Sequence, residues 1–278
     1  MKTVLYATDR SVHSAKTLNY AYALTDQLGA QLKVLHIYPL SPLALTGIPM
    51  DEQQKKRVFM EQLQLLREYC TQNLPSSKTP PIWSADVVAN GRVVDGILMK
   101  AGELHADLVL VGMKDEQSER GPFAGNIAHA LLERSPCPLL LIPNAHTYRK
   151  PSSLVYATAF EMDDLKAIRQ LVPLAKATKA FIHVIHVPVP GEYPGEEQMA
   201  WFRELLSKEV DYKKIDFQVL QEGKVKDGIA GFVDRADADL LVMLERKEKG
   251  LLKGIFHKDL VKVMEGRLEL PILAFVGD

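Results

Sequence analysis

Hydrophobic residues occur along this chain in short continuous runs, separated by stretches in which they recur at a helical spacing. The runs of the first half are Thr3–Thr8, Leu32–Tyr38, Ile82–Ala89, Leu108–Val111 and Leu139–Ile142. Short apolar runs bounded by turn residues are typical of buried strands. Because helical stretches separate the runs, we expect parallel strands joined by helical crossovers.

Four helices are predicted between the strands of the first half. The first follows the first run and ends before Gly29, and one of its faces carries Leu18, Tyr22, Thr25 and Leu28. The second covers Asp51–Asn73, and the third follows Asn90-Gly91. The fourth runs from Asn126 to a stop at Pro136. Asp9, Ser11 and Ser14 are plausible caps for the first of them. Asp9 either caps this helix or holds a ligand.

The second half of the chain repeats the pattern of the first. Val155–Thr158 repeats Leu5–Thr8, and Val184–Val187 repeats Val34–Ile37, both at an offset of 150 residues. Two later matches, Gly223–Ile229 with Gly91–Ile97 and Ala238–Val242 with Ala106–Leu110, have an offset of 132, which is 150 − 18. The chain is therefore a tandem duplication whose second copy is shorter between strands two and three.

The fold class predicted from this repeat is α/β, with two tandem open parallel sheets. Each sheet has five strands in the order 3-2-1-4-5 and helices on both faces. We expect a first domain over residues 1–145, a linker over 146–153 and a second domain over 154–278. Such sheets bind ligands where the strand order reverses, beyond the carboxyl ends of strands one and four. These ends carry Asp9 and Gly112 in the first half, and Ala159 and Leu244 in the second.

Composition narrows the class of protein. The 278 residues are 47% hydrophobic and 25% charged, and the formal net charge is −1. This charge favours neither nucleic acid nor an anionic membrane as a partner. The two cysteines, Cys70 and Cys137, are far apart and suit free thiols of a reducing compartment. With no signal-peptide layout at the start, we expect a cytoplasmic protein.

The chemistry of an efficient enzyme is not visible in the sequence. We find no assignable Ser-His-Asp or Cys-His arrangement, no metal-ligand spacing and no G-x4-G-K-[ST] loop. His36 and His186 repeat at one strand position, and we interpret them as packed strand residues rather than as a metal pair. We therefore expect no enzyme and no metal, although weak ATP hydrolysis stays open.

Several motifs give both halves a resemblance to the universal stress protein family. They are a first strand ending in Asp9, Gly91 before helix three, Asp107-Leu108 at the start of strand four, and Pro136-Cys137-Pro138 before strand five. The resemblance implies an adenine-nucleotide alpha-hydrolase-like (Rossmann-like) fold and a stress-response binding or signalling module. It also implies that G-x2-G-x9-G-[ST] cradles the phosphates of ATP, while the first aspartate and backbone near strand two hold the adenine side.

The resemblance carries a candidate site over to the first half. Gly112 and Gly125 match the outer glycines of the motif, whereas Asp115 replaces the middle glycine and Asn126 the Ser or Thr. The residues expected to hold ATP or another adenine nucleotide are Asp9, Val34, Gly91, Gly112, Gly125 and Asn126.

The second half has lost the motif, so we expect it to have lost the site. Ala159 replaces the aspartate, and the four motif positions carry Leu244, Lys247, His257 and Lys258. An alternative function follows from these losses. The whole protein would then be a nucleotide-free scaffold that acts through contacts with an unknown protein partner.

Strand five of each half, Leu139–Ile142 and Ile272–Phe275, is predicted at a sheet edge. Exposed apolar edges invite pairing, and the prolines before them, Pro138 and Pro271, stand where a missing N–H is tolerated. Single-domain members of the universal stress protein family, which this chain resembles, commonly dimerise through this edge. We therefore expect an intramolecular pseudo-dimer of the two halves through strand five.

Asp115 is expected to oppose the phosphates of a bound nucleotide. Two like charges about 4 Å apart repel by roughly 1 to 4 kcal/mol between water and a surface-like dielectric. Replacing Asp115 by glycine should therefore tighten ATP more than adenosine, which calorimetry with both ligands measures. Equal effects on the two ligands would refute the electrostatic explanation.

Overall fold

The structure is a computed structural model. It describes residues 1–39, 50–75, 82–113, 123–143, 146–189, 195–221, 223–245, 264 and 268–276, with backbone only at 123–126. The chain forms two compact units, Met1–Tyr148 and Arg149–Asp278. The boundary between the units lies within the predicted linker.

The first unit is a parallel sheet with helical crossovers. Its strands are β1 (Thr3–Ala7), β2 (Gln31–Tyr38), β3 (Trp83–Ala89), β4 (Leu108–Gly112) and β5 (Leu139–Ile142), and its described helices are α1 (Ser14–Leu28), α2 (Glu52–Asn73), α3 (Val93–Glu103) and α4 (Phe123–Arg134). The strands lie in the order β3-β2-β1-β4-β5, and every adjacent pair is parallel. The predicted order is confirmed for this unit.

The second unit repeats this arrangement. Its strands are β6 (Ser153–Ala157), β7 (Phe181–His186), β8 (Ile215–Val219), β9 (Leu240–Glu245) and β10 (Ile272–Val276), and its helices with described bounds are α5 (Met162–Thr178), α6 (Glu196–Glu209) and α7 (Val225–Arg235). The order is β8-β7-β6-β9-β10, again with parallel neighbours. The tandem duplication predicted from the repeat therefore appears as two copies of one topology.

The strands at the centre of each sheet are buried on both faces. In β4 the residues Leu108–Val111 are all buried, and β9 is buried along its whole length. β3 and β8, each the first strand in the order of its own unit, are only partly buried. Continuous apolar runs suit the central positions because helices cover both faces of a parallel sheet. Among the described helices, we find none long and apolar enough to cross a membrane.

Helix starts differ in part from the predictions. α2 begins as expected, with Asp51 and Gln54 forming a reciprocal capping box. α4 begins at Phe123, before the predicted Asn126. For α1 the capping position is occupied by His13, which makes no side-chain capping bond. Asp9 is therefore not the cap of α1, and its carboxylate has a different role.

An aspartate at the start of the fourth strand of each unit anchors the first strand. In unit one, Asp107 Oδ2 accepts the backbone N–H groups of Lys2 at 2.6 Å and Thr3 at 2.9 Å. These amides lie at the amino end of β1 and need an acceptor. The repeated Ala-Asp-Leu motif thus ties the two central strands together at their amino ends.

Asp239 makes the same anchor in unit two with more partners. Its Oδ2 accepts the N–H groups of Ser152 at 2.6 Å and Ser153 at 3.0 Å, and Arg149 Nη2 lies 2.6 Å from Oδ1. Burial by itself would raise the pKa of Asp239, but hydrogen bonds from Ser152, Ser153 and Arg149 outweigh it and lower the pKa below its usual value. The ionised carboxylate is therefore the form that stabilises the fold.

Replacing Asp239 by asparagine should lower the free energy of unfolding at pH 7 by about 2 kcal/mol, because the new amide group faces N–H donors. Denaturant titration across pH measures this. Since the folded pKa is lowered, the carboxylate's contribution is complete above its unfolded pKa of about 3.9 and is lost below it. The difference between wild type and variant should therefore shrink under acidic conditions.

The control is Asp237→Asn, because the Asp237 side chain is 90% exposed and lies 3.7 Å from the same arginine. It should change the unfolding free energy by less than about 0.5 kcal/mol. Equal losses in the two variants would contradict the anchor role of Asp239.

Candidate functional site

A cavity of about 220 Å³ lies at the carboxyl ends of β1, β2 and β4 in unit one. Its walls are mainly apolar, with a few polar side chains among them. The lining residues are Tyr6, Ala7, Thr8, Asp9, Ser11, His13, Ser14, Thr17, Leu35, His36, Ile37, Val93, Ile97, Val111, Gly112, Ile127 and Ala128. The cavity occupies the place where the strand order reverses, between β1 and β4.

The structure brings some of the predicted site residues together here. Asp9 and Gly112 both line the cavity. Gly125 and Asn126 lie in the first turn of α4, next to the lining residue Ile127. Asp115, which replaces the middle motif glycine, lies outside the described residues.

Val34 and Gly91 are absent from the described lining. Val34 pairs with Tyr6 in the middle of β2 and is fully buried. The cavity instead meets the same strand at Leu35, His36 and Ile37, nearer its carboxyl end. Gly91 precedes α3, and it is this helix that reaches the cavity through side chains. The cavity therefore meets β2 later along the strand than the predicted residue Val34.

The turn between β1 and α1 places the Asp9 carboxylate at the rim of the cavity. Asp9 is exposed, and its Oδ1 accepts the backbone N–H of Ser11 at 2.9 Å. Arg10 between them has a left-handed backbone, with φ of 59°. An aspartate that accepts the amide two residues later stabilises such a turn. Asp9 therefore shapes the rim of the cavity rather than the start of α1.

Hydroxyl groups hold the turn against the sheet and against α2. Tyr6 Oη donates to the carbonyl of Ser14 at 2.9 Å, and Ser14 Oγ lies 3.1 Å from Thr8 Oγ1 and 2.8 Å from Tyr69 Oη. Burial raises the pKa of Tyr69, so its hydroxyl stays protonated at neutral pH. Neither Tyr6 nor Tyr69 is among the site residues predicted from the sequence. The repeat of Tyr6 as Tyr156 was the only signal for either.

His36 is a neutral wall residue with a defined tautomer. Its Nδ1 lies 2.9 Å from the carbonyl oxygen of Thr8, which only accepts, so Nδ1 carries the proton. Burial lowers the pKa of His36, and nearby Arg10 lowers it further. The ring is therefore neutral at pH 7, with Nε2 as an acceptor. His186 makes the equivalent contact with Thr158, also at 2.9 Å.

In unit two a buried carboxylate takes over the corresponding turn. Asp164 stands 150 residues after Ser14 and is 2% exposed. It accepts hydrogen bonds from Tyr156 Oη at 2.7 Å and Thr158 Oγ1 at 2.9 Å, and from the N–H groups of Ala159 at 3.1 Å and Glu161 at 3.0 Å. The acceptor missing at Ala159 is thus supplied from inside the unit.

An aromatic side chain covers the histidine of unit two. Phe160, at the position of Arg10, packs against His186 in a tilted arrangement with ring centroids 4.3 Å apart, and its centroid lies 5.9 Å from that of Phe202. A Cβ atom at Gly195 would come within 2.9 Å of His186 and 3.2 Å of Phe160. The space beside this histidine is therefore filled by the protein's own side chains.

The sequence and fold of the chain match known proteins. The sequence model described as "Universal stress protein family" matches residues 1–143. "Universal stress protein in QAH/OAS sulfhydrylase 3'region" of Thermus aquaticus is 28% identical over 141 residues, covering 51% of this chain and 98% of that protein. Universal stress protein YxiE of Bacillus subtilis is 27% identical over 150 residues, covering 50% and 97%. A universal stress protein from Archaeoglobus fulgidus shares the fold, with a TM-score of 0.70 at 16% identity over 99% of this chain and 96% of that one.

Asp164 is expected to be a main stabilising residue of unit two. Asp164→Asn should lower the free energy of unfolding by about 2 to 4 kcal/mol, because an amide cannot accept from four donors at once. Urea titration measures the loss.

Asp163→Asn is the matched control, since the neighbouring carboxylate is part-exposed and pairs with Lys166 one turn later at 2.7 Å. It should change stability by less than about 0.5 kcal/mol. A loss at Asp163 as large as that at Asp164 would show that helix electrostatics, and not the buried acceptor, explains the effect.

Proposed function

The chain belongs to the universal stress protein family, whose sequence model covers just over half of it, and we propose that unit one binds an adenine nucleotide in its cavity. In this proposal the protein is a stress-response binding module that senses the nucleotide through Met1–Tyr148. The observation that carries the proposal is the cavity at the reversal of strand order, with apolar walls and Asp9 at its rim.

The size of the cavity supports a small occupant. Pockets for drug-sized ligands measure roughly 300 to 1,000 Å³, whereas this cavity has about 220 Å³. A purine base fits such an enclosure better than a whole triphosphate. The sugar and phosphate groups would then extend past the rim towards α4.

The rim offers the groups that a nucleotide needs. The exposed Asp9 carboxylate can accept hydrogen bonds from ribose hydroxyls, as acidic residues do in related open α/β sheets. The first turn of α4, with Gly125 and Asn126, presents backbone N–H groups and the positive end of a helix dipole. Because the sequence has an aspartate, Asp115, in place of the middle motif glycine, we expect a monophosphate to be favoured over ATP.

Unit two has a different role in this proposal. Asp164 occupies the position of Ser14 and is buried, and Phe160 occupies the position of Arg10 and covers His186. We propose that this half binds no nucleotide and supplies a protein surface, which is the part of the scaffold hypothesis that these contacts favour. Pairing of the units through strand five stays a prediction from the sequence.

Asp9→Ala should weaken the binding of adenosine and of AMP by about 10-fold or more, because a charged acceptor for ribose hydroxyls is removed. Isothermal calorimetry on the full chain, with adenosine, AMP, ADP and ATP, measures the affinities.

The control variant is Asp163→Ala, which removes an acidic residue from the equivalent turn region of unit two and should leave all affinities unchanged. If the wild type gives neither heat nor a thermal shift with any of the four ligands at millimolar concentration, the proposed function is wrong.

A further inference from the structure

The wall of the cavity contains a buried hydroxyl whose hydrogen-bonding capacity is unused. Thr17 lies on α1, lines the cavity and is 1% exposed. Its Oγ1 is buried and has no hydrogen-bond partner within the described part of the chain. A buried hydroxyl without a partner destabilises a fold, so its presence calls for an explanation.

Other buried threonines in helices of this protein satisfy their hydroxyls locally. Thr25, two turns further along α1, donates to the carbonyl of Ala21 at 2.6 Å. Thr178 in α5 donates to the carbonyl of Leu174 at 2.9 Å. Both use the carbonyl four residues earlier, which is the usual partner of a helical threonine. Thr17, which lies where this helix borders the cavity, departs from the pattern within the described part of the chain.

The neighbouring hydroxyls of the same wall are already engaged. Ser14, one turn before Thr17, contacts Thr8 and Tyr69, and Tyr6 donates to the Ser14 carbonyl. The Thr17 hydroxyl therefore takes no part in this hydrogen-bond network.

The second unit gives a comparison inside the same chain. The residue 150 positions after Thr17 is Ala167, which is buried and has no hydroxyl. In that unit Phe160 covers the histidine that corresponds to His36. The hydroxyl is thus present in the unit where the cavity borders the histidine, and absent from the unit where Phe160 covers the histidine.

We infer that the Thr17 hydroxyl is a recognition group for the heteroaromatic base of the ligand in this cavity. The inference rests on the proposed function and adds a specificity-determining residue to it. Threonine in a helix populates two χ1 rotamers. Rotation between them exchanges the positions of methyl and hydroxyl, so a ligand that supplies a partner can draw the hydroxyl to the cavity face.

The edge of an adenine base matches two groups of this wall. It presents a ring nitrogen that accepts beside an amino group that donates. Thr17 supplies a donor, and His36, with its proton on Nδ1, supplies an acceptor at Nε2. Both side chains line the same cavity.

Thr17→Val separates recognition from folding, because valine keeps the shape of threonine and removes only the hydroxyl. We expect the dissociation constants of adenosine and AMP to rise by the same factor, about 3- to 10-fold, since the lost contact is to the base and not to the phosphate. The Tm of the unliganded protein should stay unchanged or rise, since an unsatisfied buried hydroxyl has been removed. Thr17→Ser, which keeps the hydroxyl, should bind within about twofold of wild type.

Thr25→Val is the matched control on the same helix. Thr25 is fully buried, but its hydroxyl is satisfied and it is not part of the cavity lining. This variant should leave both dissociation constants unchanged. Calorimetry on the full chain with adenosine, 2′-deoxyadenosine and AMP, together with thermal melts without ligand, provides all the readouts.

The outcomes distinguish the inference from the proposed function. If the wild type binds AMP and Thr17→Val binds it equally well, the inference is overturned and the proposed function stands. A loss seen with AMP but not with adenosine, or one that vanishes with 2′-deoxyadenosine, would place the contact on phosphate or sugar and overturn the assignment to the base. If the wild type binds none of the three ligands, both proposals fail.

Discussion

The structure of both units depends on how the amide groups after the first strand find an acceptor. In unit one the Asp9 carboxylate, on the outer side of the turn, accepts the N–H of Ser11. In unit two the Asp164 carboxylate, on the inner side, accepts the N–H groups of Ala159 and Glu161. In each unit one carboxylate accepts from the turn, and the threonine hydroxyl at the end of the first strand accepts the remaining N–H, that of Arg10 or Phe160. The side of the turn on which the carboxylate lies decides whether the acidic group stands at the rim of the cavity or is buried in the protein.

A second constraint acts on the residue in the middle of this turn. Arg10 and Phe160 both have a left-handed backbone, with φ of 59° and 64°. Such a conformation is unfavourable for residues with a Cβ atom and persists because the surrounding hydrogen bonds hold it. At this position in unit one, the charged side chain of Arg10 donates a hydrogen bond to Gln62. In unit two, the aromatic ring of Phe160 packs against His186. A single side chain thus changes what occupies the space beside the strand-two histidine.

Several features of the site could be predicted because they depend on local sequence and on topology. Asp9 and Gly112 follow strands whose order places their carboxyl ends side by side, and both line the cavity. The sequence could not show that the cavity meets β2 at Leu35–Ile37 and not at Val34, because periodicity identifies a strand but not the residue at which it leaves the sheet. Thr17 was only one polar residue on an amphipathic helix. Its importance depends on a hydroxyl that has no partner among the residues that the structure describes, and a sequence does not show hydrogen bonds.

The sequence by itself determined the two-fold repeat, the alternation of strands and helices and the parallel order of each sheet. These follow from apolar periodicity and from connection rules that hold for almost any chain with this pattern. The tertiary structure decided what lies beside the strand-two histidine in each unit. Ser14 and Asp164 are both polar residues at the start of a helix. Only the folded geometry shows that one joins a network of hydroxyls, whereas the other accepts from two amides and two hydroxyls in the interior. The reason is physical: burial and hydrogen-bond geometry depend on residues far apart along the chain, whereas periodicity depends on neighbours.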